Sequence, residues 1–223
     1  MFKLCVLIIV MSIDKKEHIM DVAVALFAEK GYEGTSIRDL AHEADVNIAM
    51  INYYFGSKEK LFVALLESKA RYMRERIDAV QNDASLTELE KLNQIIDGYV
   101  NRFLSQPAFH RVLQQELLVT NREILHQNVI ELFTKNTQDV VSIIEKGVRK
   151  KIFKKVDPPL LFASIIGTIN QVMLSRSICN ILMNKAPGTD PYQDPELKKR
   201  ITQHIKQLVQ DHLLIQPALQ KQK

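Results

Sequence analysis

Apolar residues recur at helical spacing along almost the whole chain, and no stretch alternates in the way that a half-buried strand requires. Near the N-terminus, for example, Ile19, Ala23 and Leu26 mark one face of a helix at intervals of four and three residues. This pattern predicts an all-α protein of about nine helices. The predicted helices cover residues 14–30, 36–44, 47–55, 58–82, 87–105, 108–118, 122–151, 158–184 and 195–214.

Capping residues indicate where the first three helices begin. Asp14 with Glu17, and Ser36 with Asp39, have the three-residue spacing of a capping box. The third helix is short and follows Asn47, a residue type whose side chain caps helix N-termini well. Three short helices in about forty residues, the second and third joined by a tight turn, are the pattern of a helix-turn-helix.

The third helix has one side suited to a core and one suited to a DNA groove. Ile51 and Phe55 lie one turn apart and can point back into the N-terminal core. A helix held in this way can enter the major groove of DNA, which is about 12 Å wide. The outward side would then carry Ile48, Ala49, Asn52 and Tyr53, with Met50 at its edge.

Composition and charge narrow the function only slightly. Of the 223 residues, 46% are apolar and 25% are charged, as in an ordinary globular protein. The formal charge is +4, yet residues 1–60 hold seven Lys and Arg against nine Asp and Glu, so the segment assigned to DNA is net negative. Its few cations must therefore be well placed. The two cysteines, Cys5 and Cys179, form no disulfide or zinc pattern, which fits a reducing cytoplasm.

The first eleven residues differ from the rest of the chain. The run from Leu4 to Met11 is wholly apolar and follows one lysine, as in a signal peptide. It lacks a small-residue cleavage site and is too short to span a bilayer. Since Met11 offers a second start, we expect residues 1–11 to be a disordered leader or a misassigned start. We predict no membrane span elsewhere.

Several stretches of the N-terminal segment match one family in order and spacing. The stretches are Thr35–Ala41 (TSIRDLA), Ala44–Val46 (ADV) and Tyr53–Leu61 (YYFGSKEKL), together with Ala25-Leu26-Phe27 ahead of Gly31-Tyr32. In this combination they closely resemble the signature of the TetR family of helix-turn-helix transcriptional regulators. The resemblance covers residues 14–62.

The resemblance implies a domain organisation and a function. A helix-turn-helix domain would occupy residues 12–60, with its recognition unit at 36–55, and a larger helical domain for effector binding and dimerisation would occupy 61–223. The chain would then be a homodimeric repressor that a small apolar effector releases from a palindromic double-stranded operator.

Particular residues acquire roles by the same resemblance. Residues Asn47 to Tyr53 would face bases, and the phosphate contacts would be Thr35, Ser36, Tyr54 and Lys58. Two positions depart from the family pattern. Asn52 stands where many members carry Tyr, so a phosphate contact is exchanged for an amide that can pair with adenine. Asp45 replaces the usual turn Gly, which Asp tolerates better than most residues.

The C-terminal part resembles the family only in layout. The spacing of apolar residues on the last helix, and a nearly all-apolar eighth helix, predict a dimer interface. Aromatic and Met positions on the middle helices suggest an effector pocket, although such a stripe is more often plain core. The predicted interface residues are Ile165, Val172, Leu197, Ile201, Ile205 and Leu208, and the predicted pocket residues are Tyr99, Phe103, Phe109, Phe133, Asn170 and Met173.

The alternative is a helical enzyme or a lipid-binding protein that uses the N-terminal unit only to dimerise. Glu123 and His126 have the Glu-x-x-His spacing of di-iron bundles, but such sites need a second copy, and the sequence has none. The six histidines are scattered, and no phosphate loop or nucleophile motif is present. We therefore predict a protein that is not an enzyme, with no catalytic residue, metal or cofactor.

Overall fold

The computed structural model describes the backbone of residues 2–118, 123–173 and 175–215, and the side chains of residues 14–215 except those at 119–126, 128–129, 132 and 174. These residues form ten α-helices and a short 3-10 helix. Extended pairing among them is limited to one isolated bridge, between Phe153 and Leu214. The predicted all-α fold class is confirmed.

The helices follow one another with short connections. Their bounds are α1 Phe2–Lys30, α2 Ile37–Glu43, α3 Ile48–Phe55, α4 Lys58–Asn82, α5 Glu88–Ser105, α6 Pro107–Leu118, α7 Glu123–Arg149, α8 Pro158–Met173, α9 Arg176–Leu182 and α10 Pro195–Leu213, with the 3-10 helix at Pro191–Gln193.

Two predicted boundaries are wrong. Helix α1 begins at Phe2, so the backbone of the expected leader is helical and Asp14 is not an N-cap. The segment that precedes Asp14 contains neither Gly nor Pro, so nothing interrupts the helix there. The predicted helix 158–184 is two helices, because Ser175 starts α9 by accepting a hydrogen bond from the backbone N–H of Ile178. A serine cap inside an apolar run is easily overlooked.

The chain divides into two compact units, Met1–Arg71 with Ala108–Leu132, and Tyr72–Pro107 with Phe133–Lys223. The first unit contains α1 to α3 and the first half of α4. Its centre is an aromatic trio, in which the rings of Phe27, Tyr32 and Phe62 lie 5.3–5.6 Å apart. Edge-to-face packing of such rings stabilises a small core beyond the area that it buries.

The second unit is built around α5, against which α8 and α10 pack. The buried side of α10 carries Leu197, Ile201, Ile205 and Val209 at intervals of four residues, which form one core with α5 and α8. None of the described helices is alone long and apolar enough to cross a membrane, and only α8 and α9, which are bent relative to each other, meet that test as a pair.

Candidate nucleic-acid interface

Local hydrogen bonds define the α2–turn–α3 unit. Ser36 and Asp39 form the predicted capping box, since each accepts a hydrogen bond from the backbone N–H of the other, at 3.1 and 2.8 Å. The turn passes through Asp45, whose φ of 50° is the left-handed conformation expected there. Asn47 then caps α3 by accepting from the Met50 N–H at 2.8 Å. The two helices are therefore held by caps that the sequence predicts.

Helix α3 has the two faces that the sequence predicts. Ile51 and Phe55 are buried against the first unit's core. On the opposite face Tyr53 is 83% exposed and Ile48 40% exposed. The remaining predicted base-facing residues are also accessible, since Asn47, Ala49 and Asn52 are exposed and Met50 is half-buried.

Two of the four predicted phosphate contacts have no hydroxyl proton to offer. Thr35 is fully buried, and its hydroxyl donates to the carbonyl of Gly31 at 2.8 Å. The hydroxyl of Ser36 donates to the carboxylate of Asp39 at 2.6 Å. That side-chain hydrogen bond, with the one from the Ser36 N–H, holds the pKa of Asp39 below its ordinary value, so a negative charge stays at this helix start. We therefore drop both hydroxyls from the phosphate contacts.

Lys58, the third predicted phosphate contact, is held by the protein itself. Its ammonium donates to the backbone carbonyls of Tyr32 and Thr35 at 2.9 and 3.1 Å, and it lies 4.1 Å from the centre of the Tyr32 ring. These contacts tie the start of α4 to the turn between α1 and α2. We call this group of contacts the Lys58 clasp.

Two other polar side chains, those of Tyr54 and Lys16, lie near the C-terminal end of α3. Tyr54 is half-buried, and its ring packs edge-on to Tyr53 at 5.3 Å between centroids. Helix α1 brings the ammonium of the exposed Lys16 to 5.5 Å from the centre of the Phe55 ring, at the end of α3. The sequence analysis did not single out Lys16, because nothing in the local pattern shows that the middle of α1 lies close to the end of α3.

Most residues of the predicted dimer seam are buried in the chain's own core. Ile165, Val172, Leu197, Ile201 and Ile205 are all buried within the single chain, and of these only Val172 and Ile201 line the groove described next. Apolar spacing of three and four residues marks whichever helix face is buried, and here the chain's own core covers it. The sixth seam residue, Leu208, is 38% exposed.

The outward face of α8 carries small residues instead. Ala163, Ser164 and Gly167 are exposed, with Leu160 66% exposed at the start of the helix. Beside them an open groove of about 660 Å³ lies between α8 and α10, lined by Gly167, Thr168, Gln171, Val172, Met183, Arg200, Ile201 and His204. This face has nothing packed on it within the described part of the chain.

The predicted effector-pocket residues are divided between the two units. Tyr99 and Phe103 are buried in the second unit's core, where the Tyr99 ring packs against Phe103 and Phe162 at 6.1 and 5.8 Å. Phe109 is buried in the first unit, and Phe133, Asn170 and Met173 are half-buried in the second. None of the six lines any of the four grooves described among residues 72–107 and 167–204. The pocket stays a prediction.

Metal-ligating side chains can be assessed only where the structure describes them. The described residues contain no group of three or more His, Cys, Asp or Glu side chains that could hold a metal ion. The side chains of Glu123 and His126 lie outside the described residues, so their spacing is not tested here.

A capped helix pair whose second helix turns an accessible face outward, on a rigid aromatic core, defines a helix-turn-helix DNA-binding protein. Comparison with family models makes the assignment specific. The model described as "Bacterial regulatory proteins, tetR family" matches residues 19–65, and that described as "Tetracyclin repressor-like, C-terminal domain" matches residues 89–209. The chain belongs to the TetR family and is a DNA-binding transcriptional regulator.

Individual relatives agree with this assignment. The HTH-type transcriptional repressor NicS of Pseudomonas putida is 32% identical over 148 residues, 62% of this chain and 66% of that protein. The fatty acid metabolism regulator protein of Bacillus subtilis is 28% identical over 160 residues, which are 71% of this chain and 81% of that protein. The fatty acid degradation regulator FadR of Bacillus halodurans shares the fold, with a TM-score of 0.67, 24% identity, and 86% and 94% coverage. The family membership predicted from the sequence motifs is confirmed.

Proposed function

We propose that this chain represses transcription as a homodimer, by binding a palindromic operator from which a small apolar effector releases it. The observation that carries the proposal is the exposed outer face of α3, where Tyr53 and Ile48 remain accessible while Ile51 and Phe55 anchor the helix. A tyrosine that is 83% exposed on a structured helix is a poor element of a core but a good contact for DNA. In this proposal the protein acts on DNA in the cytoplasm and is not an enzyme.

In this proposal, bases are read without charged side chains. Ile48, Ala49 and the Tyr53 ring would contact thymine methyl groups, and the Asn52 amide would pair with the N6 and N7 atoms of adenine. Asn47 and Met50 would complete the surface. Phosphates would be met by the Tyr54 hydroxyl and the Lys16 ammonium.

The partner in the homodimer would lie on the outward face of α8 and α10. Small residues such as Ala163 and Gly167 let two helices approach closely, and the groove beside them can receive side chains of the second copy. Leu208 would add an apolar contact at the end of α10. Two identical reading units then require two half-sites about one helical turn of DNA apart.

The effector would be a small apolar molecule, bound in the second unit. The NicS relative is named as a repressor, and two other relatives are named for fatty acid metabolism or degradation. Fatty acids are small apolar molecules of the class that we propose, so a panel of fatty acids is the first probe. Release would appear as a loss of fluorescence anisotropy of a labelled operator.

Selection of bound fragments from fragmented genomic DNA tests the proposal directly. We expect recovery of fragments that share an inverted repeat, with an affinity that falls steeply as salt rises. Fragments without a common sequence, or no bound fragment at low salt, would contradict it. A protein that binds vesicles, or that turns over a substrate, in place of DNA would favour the lipid-binding or enzyme alternative.

Replacing Asn52 with alanine is expected to relax the preference for one base pair in each half-site. A bidentate pair between Asn and adenine discriminates by about 1–3 kcal/mol, so the mutant should lose about tenfold in preference at that position. Anisotropy titrations on operators that vary one base pair at a time measure this. If Asn52→Ala weakens binding equally to every variant, then Asn52 does not read a base.

Replacing Lys16 with glutamine is expected to weaken binding to all operator variants alike. The loss of one phosphate contact lowers the slope of log affinity against log salt by about one. Lys15→Gln is the matched control, since Lys15 is an exposed neighbour for which no contact with α3 is observed. Equal slopes for Lys16→Gln and the wild type would exclude the phosphate contact.

A further inference from the structure

A polar groove of about 320 Å³ lies in the second unit, between α4, α5 and α10. Two cationic side chains line it, Arg76 from α4 and Lys198 from α10, together with the phenol of Tyr72 and the amide of Asn101. A second groove, of about 260 Å³, shares Asn101 and Lys198 with it. None of the predicted effector-pocket residues lines either groove, so this is a separate place in the fold.

Arg76 is seated in the groove by a glycine. Its Nε and Nη2 atoms donate to the backbone carbonyl of Gln94 at 3.3 and 3.1 Å. A Cβ atom at Gly98 would lie 2.6 Å from Arg76 Nε and 2.7 Å from its Cδ, so the guanidinium keeps its position only because residue 98 has no side chain. A glycine inside a helix is less favourable than alanine. At residue 98 the glycine, although less favourable in a helix, leaves the room that the Arg76 side chain occupies.

The two cations have neutral partners. Arg76 donates to a carbonyl, and the ammonium of Lys198 donates to the Asn101 side-chain oxygen at 2.5 Å. No carboxylate pairs with either of them in the described part of the chain. The acidic residue in the groove, Asp97, is already paired with Lys206 at 2.7 Å. The groove therefore holds two cations that form no ion pair among the described residues, beside an aspartate whose charge is shared with Lys206.

We propose that this groove binds a small anion through Arg76 and Lys198. The ligand is an anionic metabolite with a phosphate or carboxylate group, because a guanidinium matches the paired oxygens of either group. The volume of about 320 Å³ suits a small molecule. Binding would join α4 to α5 and α10, and α4 is the helix whose first half belongs to the DNA-binding unit.

Isothermal titration of the full chain at constant ionic strength tests the site, with inorganic phosphate in one arm and succinate in the other. We expect saturable binding of at least one anion, and the arm that saturates identifies the anionic group. Arg76→Gln and Lys198→Gln should each weaken it by about tenfold or more, as for a charge-assisted contact. Lys199→Gln is the matched control, since Lys199 is exposed on the same helix but does not line this groove.

Gly98→Ala separates binding from folding. Alanine raises helix propensity, and the new methyl group clashes only with the flexible end of Arg76, so the variant should melt no lower than the wild type while it loses anion binding. The proposal is overturned if neither anion binds saturably, if Arg76→Gln binds as tightly as the wild type, or if Lys199→Gln weakens binding as much as Lys198→Gln does.

Discussion

Replacing Gly167 with glutamate is expected to abolish operator binding without unfolding the chain. Gly167 is exposed in the middle of α8, and an added Cβ atom would meet nothing within 4 Å. The single chain therefore gives no reason for a glycine there, and glutamate is the better helix former. If the outward face of α8 packs against a second copy, however, a long charged side chain would hold the two helices apart.

The size of the expected loss of operator affinity follows from bivalent binding, in which the two units of a dimer bind two half-sites. A dimer places its second reading unit on the second half-site at a high effective concentration, which strengthens binding by about 100-fold or more over one unit alone. A monomeric variant loses this gain entirely. Light scattering during gel filtration measures the oligomeric state, and anisotropy on a two-half-site operator measures the affinity.

Ala79→Glu is the matched control, because Ala79 is a small exposed residue of α4 and receives the same new side chain. We expect Ala79→Glu to remain dimeric and to bind DNA as the wild type does. A Gly167→Glu protein that stays dimeric and binds the operator normally would remove α8 from the interface. Loss of dimerisation together with a lower melting temperature would instead indicate a folding defect.

Local signals predicted the N-terminal part of the fold well. The caps Ser36 and Asn47 and the breaker Gly56 act within one turn of the chain, so their hydrogen bonds and φ angles follow from residue type and position. The same signals failed at Ser175, because a serine between apolar stretches is as compatible with a continuous helix as with a new start.

The surface that covers each helix face, and the partners of each polar side chain, depend on tertiary contacts and could not be predicted from the sequence. Periodicity showed that Leu197, Ile201 and Ile205 share a helix face, but it cannot distinguish the chain's own core from a partner's surface. Likewise, motif matching assigned Thr35 and Lys58 to phosphates, whereas the structure shows a buried hydroxyl and an ammonium already bonded to two carbonyls. Exposure and existing hydrogen bonds are properties of the folded chain, and they argue against both assignments.

Replacing Lys58 with methionine is expected to destabilise the DNA-binding unit and to weaken binding to every operator. Methionine retains an unbranched apolar stem but removes the ammonium, and with it the hydrogen bonds to the Tyr32 and Thr35 carbonyls and the contact with the Tyr32 ring. A hydrogen bond to a charged group contributes about 1.5–3 kcal/mol, so we expect the free energy of unfolding of this unit to fall by about that amount. Urea unfolding, followed by hydrogen exchange of the amides between α1 and α2, measures the loss.

The salt dependence of DNA binding separates the Lys58 clasp from the phosphate role implied by the family motif. If Lys58 acts through the clasp, Lys58→Met lowers affinity but leaves the slope of log affinity against log salt unchanged, because no phosphate contact is lost. If it meets a phosphate, the slope falls by about one. Lys60→Met, an exposed lysine on the same helix turn, controls for the general loss of charge. An unchanged stability of Lys58→Met with a reduced slope would reject the clasp, since the two carbonyls would then be satisfied without the ammonium.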